Sequence, residues 1–152
     1  MQKKTRILAV SSAGGHWIEL TRVVFGLTNI EVLFATTQSD YEEEIQIDCE
    51  FYVISDSTRW NLLRLIKTAI EIFWVVFKTH PEVVFSTGAA PGAIAILAGK
   101  LFGAKTIWLD SIANVSEISR SGKLVVKHVD VFLTQWEHLA QEPNIKFKGA
   151  VL

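Results

Sequence analysis

Cysteine is almost absent from this chain. Cys49 is the single one in 152 residues, which excludes an internal disulfide and any cysteine-based metal cluster and agrees with a reducing compartment. Proline is scarce too: of the three present, Pro81 and Pro91 stand where elements are expected to begin, and no proline-rich linker divides the chain. Neither sign of charge is in excess. Fifteen Lys and Arg face sixteen Asp and Glu, a formal net charge of −1, so the general cationic field that nucleic acid requires is missing. The four histidines, His16, His80, His128 and His138, show no metal-ligand spacing, and neither a metal nor a cofactor is expected. The N-terminus has a basic start, but its apolar run, Ile7 to Val10, is far too short for a signal peptide and reads as the first strand of a cytosolic domain.

Familiar phosphate-loop and hydrolase signatures are also missing. The first loop is not G-x-G-x-x-G, and Ala35-Thr36-Thr37-Gln38 offers no acidic residue after the second strand, so dinucleotide binding is poorly supported. Ser121-Gly122-Lys123 lacks the upstream glycine of a Walker motif and is followed by Leu124. Nothing resembles G-x-S-x-G.

Apolar residues are plentiful, 49% of the total with five Trp, enough for one packed core in a chain of single-domain length. The mean hydropathy of +0.29 implies extra apolar surface that meets a partner chain or lipid. Short apolar runs at Arg6–Ser11, Glu31–Thr36, Phe51–Ile54, Val83–Thr87, Thr106–Asp110 and Val131–Thr134 read as strands. Helices are expected at His16–Leu27, Arg59–Thr79, Pro91–Phe102 and Gly122–His128, and Glu42–Glu44 reads as a solvated helix face. This alternation predicts an α/β domain with a parallel sheet covered by helices on both faces.

Arg59–Lys78 is apolar around most of its circumference, with Arg64, Lys67, Glu71 and Lys78 in one narrow stripe. Charges in its middle argue against a spanning helix. Two readings stay open: a helix wedged between sheet and neighbour, or one lying on a membrane interface.

In an open parallel sheet, ligands bind beyond the carboxyl ends of strands, at the point where strand order reverses. Three loops there carry small or polar residues: Ser11 to His16, Ser86 to Gly92, and Asp110 to Asn114. Gly14 and Gly15 ahead of one helix, and Gly88 and Gly92 ahead of another, would let backbone approach a diphosphate held by helix N-termini; tight strand–helix turns explain such glycines equally. His16 is the candidate for proton transfer near neutral pH, or else a phosphate donor. Asp110 is a candidate orienter of His16, or else a helix cap. Ser111 and Asn114 would bind ligand hydroxyls or satisfy loop backbone.

The segments SSAGGHW, FSTGAAPG, IWLDSIANV with its following S-x-x-GK (Ser119, Gly122, Lys123), and VFLTQW together resemble the PssD family of bacterial polysaccharide biosynthesis. That family is similar to the acceptor-side subunit, asparagine-linked glycosylation protein fourteen, of the dolichyl-diphosphate N-acetylglucosamine transferase. More distantly, the AGGH loop is similar to that of MurG. The resemblance runs from about residue 6 to the end and implies a Rossmann-like domain, the N-terminal half of a GT-B glycosyltransferase split over two polypeptides. It implies His16 and Asp110 as catalytic residues and Gly14, Gly15, Gly88 and Gly92 around the acceptor diphosphate, with Ser111 and Asn114 the candidate polar side chains of that site on the residue reading alone. It further implies a polyprenyl-diphosphate-linked acceptor in capsular or exopolysaccharide assembly, and a donor-binding partner subunit holding the nucleotide sugar. The C-terminal tail, about 144–152, would dock that partner. Eukaryotic members open with a membrane anchor; here the Arg59–Lys78 helix, nearby basic residues or the acceptor lipid would give peripheral attachment to the inner face of the cell membrane. A chain that only stabilises and membrane-docks a catalytic partner is the alternative, and a stand-alone nucleotide-sugar or dinucleotide binder is a third.

Overall fold

The computed structural model describes residues 3–57 and 61–151. Seven strands form one sheet: β1 (Thr5–Ser11), β2 (Ile30–Thr36), β3 (Glu50–Val53), β4 (Val83–Ser86), β5 (Lys105–Leu109), β6 (Val131–Thr134) and β7 (Ile145–Phe147). The spatial order is β3-β2-β1-β4-β5-β6-β7, and every pairing is parallel. The helices are α1 (Gly15–Phe25), α2 (Tyr41–Glu44), α3 (Leu62–Thr79), α4 (Ala89–Leu101) and α5 (Arg120–Val125). The Rossmann-like α/β architecture expected from the sequence is the one observed. Six strands lie within a residue or two of expectation. Three-residue β7 was missed because only Ile145 in it is buried, which leaves no alternating pattern to read.

Side-chain alternation along each strand builds two cores. Leu8, Val10, Leu33, Ala35, Val84, Trp108 and Phe132 face α3, α4 and α5. Ile7, Ala9, Val32, Phe34, Phe85 and Leu109 face the other way, onto Trp17, Leu20 and Val24 of α1. That second face has a single long helix, supplemented by Val151 of the C-terminal segment. The segment expected to dock a partner, about 144–152, also packs on its own chain: Ile145–Phe147 pairs with β6, and Val151 packs on the sheet.

At the amino ends of β5 and β6, Asp130 accepts from the Thr106 N–H (2.8 Å) and hydroxyl (2.9 Å) and is paired with Lys100. The Lys100 hydrogen bond is the leading reason its carboxyl titrates at about 2 instead of 3.8.

The described part of the long helix, α3, packs on this chain along one side. Thr68, Ile72, Val75, Val76 and Thr79 are buried, whereas Leu63 (80%), Ile70 (65%), Trp74 (54%) and Phe77 (57%) are exposed on the outer side. Arg59, where that helix was expected to begin, lies outside the described residues. Within the polar stripe, Glu71 is turned inward: it accepts from the Ser55 N–H (2.6 Å) and hydroxyl (2.9 Å). Among the described residues no helix is long and apolar enough to cross a membrane.

Candidate active site

Strand order reverses between β1, which pairs with β2 on one side, and β4 on the other. The chain leaves β1 into α1 on one face and β4 into α4 on the opposite face, so a crevice must open between the two helix starts. The loop after β5 closes it from the side. A cleft of about 260 Å³ lies here, lined by His16, Ala89, Ser111, Ala113, Asn114 and the Ser119–Ser121 segment that opens α5. A larger hollow of about 510 Å³ sits at the opposite end of the sheet, beneath the starts of β2 and β3, away from all three loops.

His16 is locked to the loop after β4 by a reciprocal pair of bonds. The Thr87 hydroxyl donates to the His16 carbonyl at 2.6 Å, and His16 Nδ1 lies 2.9 Å from the Thr87 carbonyl oxygen. A carbonyl oxygen only accepts, so Nδ1 donates the proton of this bond, and a neutral imidazole held this way has its lone pair on Nε2. Nε2 has no partner among the described residues. The ring rests directly on Gly88, whose φ is +139°; a Cβ there would sit 2.5 Å from His16 Cε1. Gly88 thus shapes the imidazole's seat.

The first glycine loop is open in front. Nothing lies within 4 Å of a Cβ built on Gly14 or Gly15, and Gly14 takes φ +81°, a conformation side chains resist. Behind, the loop is pinned: the Gly14 N–H donates to the Tyr41 hydroxyl (3.0 Å) and the Ala13 N–H to Thr37 (3.1 Å). Trp17, stacked on Tyr41 at 4.8 Å, holds that support in place. The Gly15 and His16 N–H groups at the α1 start find no acceptor among the described residues and remain for a ligand.

At Gly92, Asp110 and Ser111 the contacts match the structural one of the two roles the sequence left open. Gly92 does not face the cleft: it is buried in α4, where a Cβ would strike Ser86 Oγ at 2.0 Å, so its role is close helix–strand packing. Asp110 does not orient His16. Its carboxylate, 1% exposed, is filled by Trp108 Nε1 (2.9 Å), Asn114 Nδ2 (3.2 Å), and the Ser119 N–H (2.9 Å) and hydroxyl (2.5 Å). Orientation of the imidazole falls instead to the Thr87 carbonyl. Ser111, though it lines the cleft, donates its hydroxyl to Glu19 (3.2 Å) and accepts from the Ala113 N–H (3.3 Å). Asn114 keeps its side-chain oxygen free of described partners while its amide serves Asp110.

The structure adds residues the sequence reading missed. Thr87 could not be found from pattern, because its carbonyl does the work. Glu19, three residues after His16 and buried under the sheet-facing side of α1, was legible as a charge among the inward positions Trp17, Leu20 and Val24. Among the described residues no group of three or more His, Cys, Asp or Glu is placed to hold a metal.

Residues 52–151 match the family described as oligosaccharide biosynthesis protein Alg14 like. The chain belongs to the Alg14-like family. Among curated relatives, Alg14-like similarity extends to the UDP-N-acetylglucosamine transferase subunit alg14 of Schizosaccharomyces pombe, 36% identical over 86 residues, covering 53% of this chain and 39% of that protein. The corresponding subunit of Candida albicans is 26% identical over 164 residues, covering 92% and 75%. In fold, this Alg14-like chain is similar to MurG of Acinetobacter baumannii (TM-score 0.76, 12% identity), covering 97% of this chain and 47% of that one. It is likewise similar to a glycosyltransferase of Rickettsia africae (TM-score 0.69, 16% identity, 97% and 43%). The chain thus spans less than half of each of these two structures and of the fission-yeast relative. These likenesses bear out the GT-B kind of Rossmann-like domain expected from the sequence.

Proposed function

We propose that this Alg14-like chain is the acceptor-side subunit of a two-component GT-B glycosyltransferase, moving a sugar from a nucleotide sugar to a polyprenyl-diphosphate-linked acceptor in capsular or exopolysaccharide assembly of the PssD kind. The observation that carries this reading is His16: proton fixed on Nδ1, Nε2 free, in a cleft beside two helix starts. The acceptor diphosphate lies against the free N–H groups of Gly15 and His16. The acceptor hydroxyl attacks the anomeric carbon and yields its proton to Nε2. The bond from that carbon to the nucleotide breaks, its electron pair leaving with the nucleotide diphosphate, and the configuration inverts. Asp110 serves by fixing the loop.

The nucleotide sugar and the groups that stabilise the leaving diphosphate belong to the partner subunit, a division supported by the relatives' naming as transferase subunits. The thinly covered α1 face of the sheet offers the partner a seat. There Val23, Phe85, Leu109, Leu133 and Val151 line an apolar hollow of about 160 Å³. The exposed outer side of α3, flanked by Lys67 and Lys78, rests on the inner leaflet of the cell membrane.

The test is His16→Ala assayed with the partner: transfer falls at least 100-fold while the two chains still co-purify. Full activity with an intact pair would remove His16 from the chemistry and favour a chain that only stabilises and docks its partner.

A further inference from the structure

Glu19 is a buried carboxylate with an uneven set of contacts. It is 5% exposed, and no Lys, Arg or His pairs with it among the described residues. Its Oε1 accepts from three donors: the Ile112 N–H (2.8 Å), the Ser111 hydroxyl (3.2 Å) and the Gln135 side-chain amide (3.1 Å). Its Oε2 is buried with no described partner. A carboxylate kept out of water without a countercharge is costly, so three converging donors mark a site where position matters.

The network extends further. Gln135, 3% exposed, also donates to the Asp110 carbonyl (3.1 Å), and its side-chain oxygen accepts the Val151 N–H at 2.7 Å. One continuous chain of bonds therefore runs from the C-terminal segment, through Gln135 and Glu19, to the Asp110–Asn114 loop. Glu19 stands one helical turn beyond His16 on α1, so both walls of the cleft share this anchor.

We propose that Glu19 is a positioning residue that ties the Asp110–Asn114 loop to α1 and, through Gln135, makes the shape of the cleft depend on the seating of Val151. Calling that cleft the acceptor site rests on the function proposed above; the linkage itself does not. Whatever grips or displaces the C-terminal segment then acts on the loop beside His16 without touching it.

The test is residue-resolved hydrogen exchange on the full chain. Val151→Pro deletes one N–H and nothing from the cleft. It is expected to raise exchange at Ile112 about three- to tenfold, the effect of weakening one bond in a charged network, while amides in β1 and β2 keep their rates. Gln135→Leu gives the same pattern more strongly. Glu19→Ala raises Ile112 exchange at least about tenfold, and Glu19→Gln, which retains an acceptor oxygen, restores most of the protection. Unchanged Ile112 exchange in both Val151→Pro and Gln135→Leu overturns the proposal, as does a uniform rise across the sheet. If Glu19→Ala does not fold, Val151→Pro and Glu19→Gln decide alone. A relay seen in exchange together with full transfer by His16→Ala would refute the catalytic reading and keep the relay.

Discussion

Gly88→Ala isolates the contact on which the imidazole's orientation depends. A Cβ at Gly88 would lie 2.5 Å from His16 Cε1 and 2.7 Å from Nδ1, against ordinary carbon contacts of about 3.5 Å or more. The ring must therefore withdraw by about 1 Å, taking its 2.9 Å bond to Thr87 to about 3.9 Å, beyond hydrogen-bond range. Alanine must also adopt φ +139°, a strain of about 1–3 kcal/mol, and loss of the bond adds about 1 kcal/mol. The total of about 3 kcal/mol lowers the melting temperature by about 6–12 °C in a domain of this size. Gly99→Ala is the control. Its Cβ would meet Val84 Cγ2 at 2.6 Å, so it disturbs the core away from the cleft. Imidazole nitrogen resonances, read beside the melting curves, separate the two. Gly88→Ala shifts the His16 signals and permits exchange between tautomers, whereas Gly99→Ala leaves them in place. Unshifted His16 signals in a Gly88→Ala protein destabilised by less than about 1 kcal/mol would refute the reasoning.

Acid stability carries a signature of Asp130. With its folded pKa at about 2 against 3.8, its contribution is full above pH 4 and fades as pH falls toward 2, because the unfolded chain takes up the proton first. The contribution is about 1 kcal/mol after screening of this partly exposed pair; Lys100→Met flattens that slope in denaturant titrations, and an identical slope in both proteins would count against the pairing. The outer face of α3 is tested by flotation with anionic vesicles: Leu63→Asp with Ile70→Asp abolishes co-flotation without altering the melting temperature. Undiminished flotation would remove that face from membrane contact.

The parallel sheet was legible because β1, β2 and β4 are short, continuous apolar runs, which only strands covered on both faces display. The convergence of three loops followed from topology, and His16 from its place at a helix start. What the sequence could not reveal was direction. Asp110 and His16 both belong to cleft-forming segments, but alternation sends the Asp110 side chain toward the start of α5, where the N–H and hydroxyl of the cap residue Ser119 consume it. Gly92 looked like part of a phosphate loop because it stands with Gly88 at the start of the same expected helix, and its burial against Ser86 depends on a helix–strand distance that no local pattern encodes. For α3 the apolar breadth left enclosure by a neighbour and contact with a membrane equally readable, and the exposed outer side is the surface on which the two differ.

The sheet grows outward from β1 in both directions, and the strand on one rim, β7, is also the last in chain order. Shortening the chain from its C-terminal end therefore peels strands from one rim and leaves the crevice between β1 and β4 standing, although its side wall loosens. Deleting the first eleven residues, by contrast, removes the ridge that both flanks lean on. Trimming is for that reason lopsided in its effect: one end loosens the crevice, and the other removes it.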